Sequence, residues 1–250
     1  MTAMLGMYDM PPLRAANDRF WALVRAELGY GPETLDRTRD VWAIWRDPEL
    51  VLAQTCGMPY RTRLHGHVQL VGTPDYGLPG CAPGHYRSVF VARVDDTRDL
   101  PELATGTFAY NEALSQSGWA APVTHLQGAG LAPAALLESG AHAASAAAVA
   151  EGRADLAALD ALTWTLLCEH TDLGARLREV AHTTPTPVLP YITAPGRDAA
   201  AIAAAVRTAI ANLDPADRAA LHLKGLVDIP ASAYLSIPNP PAPSAICSAD

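Results

Sequence analysis

Apolar and polar residues alternate along the chain in a pattern that predicts short strands separated by helices. Mainly apolar runs of four or five residues, typical of buried strands, cover 88–92, 107–110 and 155–159. Apolar residues at helical spacing mark 17–28 and 198–213 as amphipathic helices. Because strands alternate with helices, the sequence predicts an α/β fold with two mixed or parallel sheets and flanking helices.

Three further segments are assigned from their local residue types. Charged residues alternate with apolar ones over 35–45, which favours a strand. Asp47 and Pro48 stand where a helix N-terminus tolerates proline, so a helix is expected over 50–52. The segment 132–138 is rich in Ala and Leu, which are strong helix formers, and we expect it to be helical.

Two segments rich in proline or glycine, 72–85 and 184–190, cut the chain into three pieces. Two crossings allow the middle piece to be a lobe inserted into a discontinuous outer lobe. The many prolines near the C-terminus cannot continue regular structure. The predicted division is 1–85 and 187–235 for the outer lobe, 86–186 for the inserted lobe and 236–250 for a disordered tail.

Composition narrows the class of ligand. The chain has 250 residues, half of them apolar, and its net charge is -8 with Lys224 as its single lysine. This charge argues against a nucleic acid partner, and no apolar run approaches the length of a membrane span. A bound anion would therefore be held mainly by backbone N–H groups and hydroxyls.

Cysteine spacing and the first residues bear on the compartment. Cys56, Cys81, Cys168 and Cys247 form no CxxC pair, so neither a zinc site nor a disulfide framework is indicated, and isolated thiols fit a reducing compartment. The first ten residues lack the features of a signal peptide. We expect a cytoplasmic location if Met1 is the native start, and a periplasmic one if a leader has been removed.

No cofactor and no metal ion are predicted. His65 and His67 alternate as metal ligands can, but further donors are not evident nearby, so a surface turn is expected. Cys56 would need a base partner to act as a nucleophile, and it is interpreted as a small buried residue. Walker and dinucleotide fingerprints are not found, which favours a binding protein over an enzyme.

The stretch that follows the strand 107–110 carries the main candidate for ligand binding. Ser115, Gln116, Ser117 and Gly118 combine hydroxyls with a residue that lets the backbone approach a ligand closely. The N–H groups of a helix first turn attract anions, so the pattern predicts an anion-binding turn. The alternative is that Ser115 or Ser117 only caps the helix.

Two more residues join this candidate site. His142 is placed on the first turn of a predicted helix, where the helix dipole favours a neutral ring; the alternative is a structural histidine. Asp160 is placed at the end of a strand, where it contacts the ligand, caps the next helix, or does both.

Three ordered motifs resemble a known family: 115–118, then Ser-Gly-Ala-His at 139–142 continuing to Asp160, then Pro-Thr-Pro-Val-Leu-Pro-Tyr at 185–191. The chain is similar to the substrate-binding proteins of phosphate, phosphite and phosphonate ABC transporters from about Met7 to about Leu226. Gln116 departs from the family, which commonly has a hydroxyl residue there.

The resemblance implies a type II periplasmic-binding-protein fold, in which two α/β lobes close over a small oxyanion. It implies that Ser115, Gln116 and Ser117 hold the oxyanion, and that the ligand also contacts a histidine and a carboxylate matched here by His142 and Asp160. It matches Tyr8, Thr55 and Cys56 more weakly, as residues from the first lobe, and it implies an ABC transporter permease as a partner.

The leading hypothesis is a solute-binding protein that clamps a phosphate-like or phosphonate-like anion. The alternative is a cytoplasmic enzyme or sensor of the same fold that acts on a small phosphorylated or carboxylated metabolite. A structural or interaction module is the third possibility, which applies if Tyr8, Ser117, His142 and Asp160 fail to converge in space.

Overall fold

The computed structural model describes residues 1–246 and divides into two compact units. Unit 1 comprises Met1–His85 and Pro187–Ser236, and unit 2 comprises Tyr86–Thr186 with 237–246. Each unit contains a five-stranded sheet. The short strands His85–Tyr86 and Thr186–Pro187, where the chain passes from one unit to the other, form a two-stranded sheet of their own.

The strands are numbered in chain order. They are β1 (Thr2–Met4), β2 (Leu50–Gln54), β3 (Gln69–Asp75), β4 (His85–Tyr86), β5 (Ser88–Arg93), β6 (Thr107–Tyr110), β7 (Ala135–Glu138), β8 (Leu156–Asp160), β9 (Leu177–His182), β10 (Thr186–Pro187), β11 (Tyr191–Thr193) and β12 (Gly225–Val227).

The helices are numbered in the same way. They are α1 (Arg14–Leu28), α2 (Val41–Trp45), α3 (Gly57–Pro59), α4 (Leu100–Ala104), α5 (Ala121–Gly128), α6 (His142–Ala150), α7 (Ala161–His170), α8 (Leu173–Arg176), α9 (Ala199–Asn212), α10 (Pro215–Ala220), α11 (Ala231–Leu235) and α12 (Pro243–Ile246). Short 3-10 turns cover Gly6–Tyr8 and Pro11–Leu13, and π-helical turns cover Tyr60–Leu64 and Gln116–Ala120.

The sheet of unit 1 has the strand order β1-β2-β11-β3-β12. Strands β1 and β2 are parallel, whereas β11 is antiparallel to both of its neighbours, β2 and β3. The carboxyl ends of β1, β2 and β3 therefore share one edge with the amino end of β11. The core on this sheet includes Trp45, Leu50, Ile192 and Tyr234, each at most 3% exposed.

The sheet of unit 2 has the strand order β7-β6-β8-β5-β9. Strand β6 is parallel to β7 and β8, and β5 is antiparallel to β8 and β9. The carboxyl ends of β6, β7, β8 and β9 therefore meet at one edge, together with the amino end of β5. Phe90, Phe108, Trp119 and Leu156 lie in the core beside this sheet.

The mixed sheets confirm the predicted α/β class, but three local predictions were wrong. Val41–Trp45 is a helix, because the side chain of Asp40 accepts a hydrogen bond from Ala43 N at 3.0 Å and caps it. Leu50–Gln54 is a strand buried along its whole length, and such a continuous apolar run lacks the alternation that identifies a strand. Ala135–Glu138 is an edge strand, since pairing with β6 overrides its helix propensity.

Part of the segment predicted to be a disordered tail is ordered. This part ends at Ile246. Pro243–Ile246 forms a short helix, and Ile246 packs against the unit 2 core. The indole N–H of Trp119 donates to the carbonyl of Pro241 at 3.0 Å, which explains why this segment lies against unit 2. The rest of the predicted tail, 247–250, lies outside the described residues.

Two negative findings concern the described part of the chain. Within residues 1–246, none of the helices combines the length and apolar character that crossing a membrane requires. The same residues contain no group of three His, Cys, Asp or Glu side chains placed to hold a metal ion, and His65 and His67 are both exposed.

Candidate functional site

The candidate residues of unit 2 lie at one edge of its sheet. The turn 115–118 follows β6, the loop before His142 follows β7, and Asp160 ends β8. Because these three strands are parallel neighbours, their carboxyl ends place the three features side by side. Ligands of open α/β sheets bind outside such carboxyl ends.

Ser115 caps the turn with a neutral group. Its Oγ accepts a hydrogen bond from Gly118 N at 2.9 Å, and its carbonyl accepts one from Ala120 N at 2.9 Å. The π-helical turn Gln116–Ala120 continues directly into α5, so the N–H groups of residues 116–118 begin a helical segment that runs to Gly128. The helix dipole directs partial positive charge toward these groups.

Ser117 is joined to His142 by a partly buried hydrogen bond, with 2.9 Å between Ser117 Oγ and His142 Nε2. His142 opens α6, whose N-cap residue Ala141 supplies no capping side chain. Burial lowers the pKa of His142 to about 4, and the Ala158 carbonyl, which favours the protonated ring, opposes this only in part. The ring is therefore neutral near pH 7 and carries one N–H donor.

Gly118 is required because its neighbours leave no room for a side chain. A Cβ at this position would overlap Asn111 Oδ1 and would lie 3.2 Å from His142 Cε1. Asn111 follows β6, and its carbonyl accepts a hydrogen bond from Gly140 N at 2.9 Å, which ties the turn to the loop before His142. Among the described residues, Asn111 Oδ1 is buried without a hydrogen-bond partner.

Asp160 caps α7 and is 2% exposed. Its Oδ1 accepts hydrogen bonds from Leu162 N at 2.8 Å and Thr163 N at 3.0 Å, so the predicted capping role is present. Ser88 lies opposite Asp160 in the antiparallel register of β5 and β8. Within residues 1–246, Ser88 Oγ is buried and has no hydrogen-bond partner.

The three candidates from unit 1 lie at the corresponding edge of the other sheet. Tyr8 follows β1, and Thr55 and Cys56 follow β2. All three are buried, and Cys56 forms no disulfide bond within the described residues. Thr55 N donates to the Pro190 carbonyl at 3.1 Å, and Tyr8 packs edge-on against Tyr76 with 5.3 Å between ring centroids.

Sequence reasoning missed several residues of this unit 1 edge. Gln54 Nε2 donates to the hydroxyl of Tyr76 at 2.9 Å and to the Leu189 carbonyl at 3.1 Å. Tyr191 lies beside Gln54 in the sheet, and burial raises the pKa of its hydroxyl although a hydrogen bond with Tyr76 opposes the shift. A polar residue directly after or at the end of a strand was the available signal for Tyr76, Gln54 and also Asn111.

Comparison with known proteins identifies the family. A family model described as ABC transporter, phosphonate, periplasmic substrate-binding protein matches residues 52–233. A search of curated proteins found no significant match. Among solved structures, PhnD1 from Prochlorococcus marinus, in complex with methylphosphonate, has a TM-score of 0.73 at 17% identity and covers 93% of each chain.

Two other solved structures share the fold. A binding protein component of an ABC phosphonate transporter from Pseudomonas aeruginosa has a TM-score of 0.70 at 16% identity, over 90% of this chain and 80% of its own. A Xanthomonas citri protein bound to chloride has a TM-score of 0.64 at 17% identity, over 93% and 92%. These similarities confirm the predicted periplasmic-binding-protein-like fold.

The family match covers well over half of the chain and confirms both the predicted family and its kind of function, the binding of a small oxyanion. It also implies a small ligand and a transporter as partner. The chain belongs to the family of periplasmic substrate-binding proteins of phosphonate ABC transporters.

Proposed function

We propose that this protein binds a phosphonate-like or phosphate-like anion at the turn formed by Ser115, Gln116, Ser117 and Gly118, without catalysis. The observation that carries the proposal is a buried helix start whose cap, Ser115, brings no negative charge. Hydrogen bonds from N–H groups to an oxyanion are stronger than those to neutral acceptors. Burial strengthens them further, because water does not compete.

His142 supports the anion as a neutral partner of Ser117. Its low pKa keeps the ring uncharged near neutral pH. His142 and Ser117 therefore offer the anion neutral hydrogen-bond donors and no positive charge. A chain with one lysine thereby holds an anion through dipoles and hydroxyls. Such neutral donors select by the positions of the ligand's oxygens rather than by its total charge.

Asp160 is proposed to contact a hydrogen-bond donor on the ligand, such as a protonated oxygen or an ammonium group. Both capping hydrogen bonds go to Oδ1, and a carboxylate has two acceptor oxygens, so the cap and a ligand contact can coexist. A buried negative charge disfavours a fully ionised group at the same place. Asp160 would therefore discriminate among oxyanions by the group attached to the phosphorus.

Tyr8, Thr55 and Cys56 are proposed to contribute to ligand binding from unit 1. We also propose that the two units are the two lobes implied by the resemblance, with boundaries at residues 85, 186 and 235. An ABC transporter permease is the proposed partner. Fractionation of cells that express the native gene product would test periplasmic against cytoplasmic location, which separates a transport role from a cytoplasmic one.

Titration calorimetry tests the proposed function. We expect heat of binding with at least one of phosphate, phosphite, methylphosphonate and 2-aminoethylphosphonate. The double variant Ser117→Ala, His142→Ala should lose this heat, whereas the control Ser232→Ala, His170→Ala changes two exposed residues and should bind like the unmodified protein. Unchanged affinity in the first variant, or no heat with any of the four anions, would remove the proposal.

The alternative, an enzyme that acts on a small phosphorylated or carboxylated metabolite, is favoured by one observation. The 2.9 Å contact between Ser117 Oγ and His142 Nε2 resembles a nucleophile beside a base. The low pKa of His142 makes the ring a weak base at neutral pH. Mass spectrometry after treatment with a fluorophosphonate reagent decides: a covalent adduct on Ser117 supports the enzyme, and an unmodified Ser117 supports the binding protein.

A further inference from the structure

Unit 1 carries an exposed cationic groove on the side of its sheet away from Tyr8, Thr55 and Tyr76. Its volume is about 480 Å³, and its lining consists of Trp45, Arg46, Asp47, Pro48, Arg63, His67, Ala194 and Pro195. Residues 46–48 precede β2, His67 precedes β3, and residues 194–195 follow the antiparallel β11. The groove therefore lies at the amino ends of β2 and β3, opposite the edge with the ligand candidates.

Two arginines of the groove stack on one indole ring. The guanidinium carbon of Arg46 lies 5.2 Å from the centroid of the Trp42 ring, and that of Arg63 lies 5.5 Å from it. Trp42 in turn packs edge-on against Trp45 at 5.0 Å. Cation–π contacts orient both guanidinium groups against the same indole ring, so two positive charges belong to one site.

Neither arginine is neutralised by a carboxylate. In the part of the chain that the structure describes, Arg46 and Arg63 form no ion pair, whereas most exposed arginines do. The carboxylate that lines the groove, Asp47, accepts from Thr2 Oγ1 at 2.6 Å and from Arg39 at 3.0 Å. The groove is thus a local positive site on a protein with a net charge of -8.

We propose that this cationic groove docks an acidic segment of a protein partner. The charge of the rim is complementary to carboxylates, and the floor supplied by Trp45, Pro48, Ala194 and Pro195 offers apolar contact to the stems of glutamate side chains. A segment with several carboxylates offers a separate acceptor to each guanidinium group. The proposal does not depend on the identity of the oxyanion ligand.

Fluorescence anisotropy with a labelled octaglutamate peptide, acetylated and amidated at its ends, tests this docking on the full chain. An octaglutamine peptide is the neutral control. We expect octaglutamate to bind, octaglutamine not to bind, and binding to weaken as NaCl is raised, because exposed charges are screened. The variant Arg46→Gln, Arg63→Gln should bind octaglutamate at least about ten-fold more weakly.

A matched variant removes the same charge elsewhere. Arg153→Gln, Arg207→Gln changes two exposed arginines that already pair with Glu151 and Asp228, and should alter octaglutamate binding less than about two-fold. Equal weakening in both double variants or no binding by the unmodified protein would overturn the proposal. Displacement of octaglutamate by inorganic phosphate at an ionic strength at which NaCl does not displace it would overturn it as well.

A second variant covers the case in which the glutamine variant fails to fold. Arg46→Lys, Arg63→Lys keeps both charges, so it should retain measurable octaglutamate binding, and loss of that binding in a folded protein would contradict the proposal. Thermal unfolding followed by circular dichroism reports which variants are folded.

Discussion

Two helix starts at the same edge of unit 2 are built differently. Asp160 caps α7 with a carboxylate that accepts from Leu162 N and Thr163 N. Ser115 caps the helical segment at 116–118 with a hydroxyl that accepts from Gly118 N. The first helix start therefore carries its own negative charge, whereas the second has its dipole uncompensated. The difference indicates that the Ser115 turn is the one suited to an external anion.

The comparison also distinguishes two effects of a capping residue, which are the hydrogen bonds it forms with the helix and the charge it places there. A cap satisfies N–H groups in both cases, and the sequence alone allowed Ser115 and Asp160 to be caps and nothing more. The charge of the cap decides what remains for a ligand. An aspartate at the start of a helix repels an anion from that helix, and a serine does not.

The largest expected effect comes from making the two helix starts alike. Ser115→Asp places a carboxylate at the turn, so oxyanion affinity should fall by at least about 100-fold, because the cap competes with the ligand for the dipole and repels it. Titration calorimetry with the anion that binds best measures this fall in affinity. Ser115→Thr keeps the hydroxyl, so its oxyanion affinity should lie within a few-fold of that of the unmodified protein. Equal affinities of Ser115→Asp and Ser115→Thr would show that the charge of the cap does not decide anion binding.

Gly118→Ala tests the packing that supports the turn. The added Cβ would overlap Asn111 Oδ1, so the free energy of unfolding should fall by about 1–3 kcal/mol. Gly128 is the control, since no atom lies within 4 Å of a Cβ at that position at the end of α5. Urea denaturation should show Gly128→Ala unchanged or slightly stabilised, and a Gly118→Ala variant as stable as that control would contradict the described packing.

Two substitutions separate the negative charge of Asp160 from its role as the cap of α7. Asp160→Ala should lower the free energy of unfolding by about 1–2 kcal/mol, because Leu162 N and Thr163 N lose their acceptor. Asp160→Asn keeps a capping oxygen and should lose much less. If the two variants are equally stable, Asp160 does not stabilise α7; if Asp160→Asn binds all four oxyanions like the unmodified protein, its proposed ligand role is wrong.

The smallest effect concerns the proton on His142. Its pKa is lowered from 6.5 to about 4 in the folded protein, so the unfolded chain takes up a proton first as the pH falls. This contribution to stability is present above pH 6.5 and is lost as the pH falls toward about 4. Between pH 6.5 and 5 the loss should be on the order of 1 kcal/mol, after allowing for partial exposure.

Urea denaturation of the unmodified protein and of His142→Gln at several pH values isolates this contribution from that of the carboxylates. The difference between the two proteins should shrink as the pH falls from 6.5. A difference that stays constant across this range would show that His142 is not held neutral by burial.

The sequence predicted the elements around the Ser115 turn better than those of unit 1. Thr107–Tyr110 has the predicted bounds, and Leu156–Asp160 lies one residue from the predicted 155–159, because short apolar runs define both strands locally. Val41–Trp45 and Leu50–Gln54 were each assigned the wrong class, because a short run of buried apolar residues suits a helix and a strand equally well.

The candidate site shows the same division. The hydroxyls of Ser115 and Ser117 and the ring of His142 could be predicted from motifs, and the structure brings the Ser117 and His142 side chains into contact. Asn111 has only the general signal of a polar residue after a strand, and its contact with Gly118 could not be predicted because it depends on how β6 and the turn pack in space. The tyrosines of unit 1 meet through sheet pairing between distant segments, which spacing along the chain does not reveal.

The central claim is that the Ser115 turn, and not the Asp160 helix start, holds the anion. Amide chemical shifts of ¹⁵N-labelled protein titrated with methylphosphonate, phosphate and phosphite test it most directly. The account predicts the largest shifts at the N–H groups of Gln116, Ser117 and Gly118, with smaller ones at Leu162 and Thr163. Largest shifts at Leu162 and Thr163, with 116–118 unmoved, would contradict it.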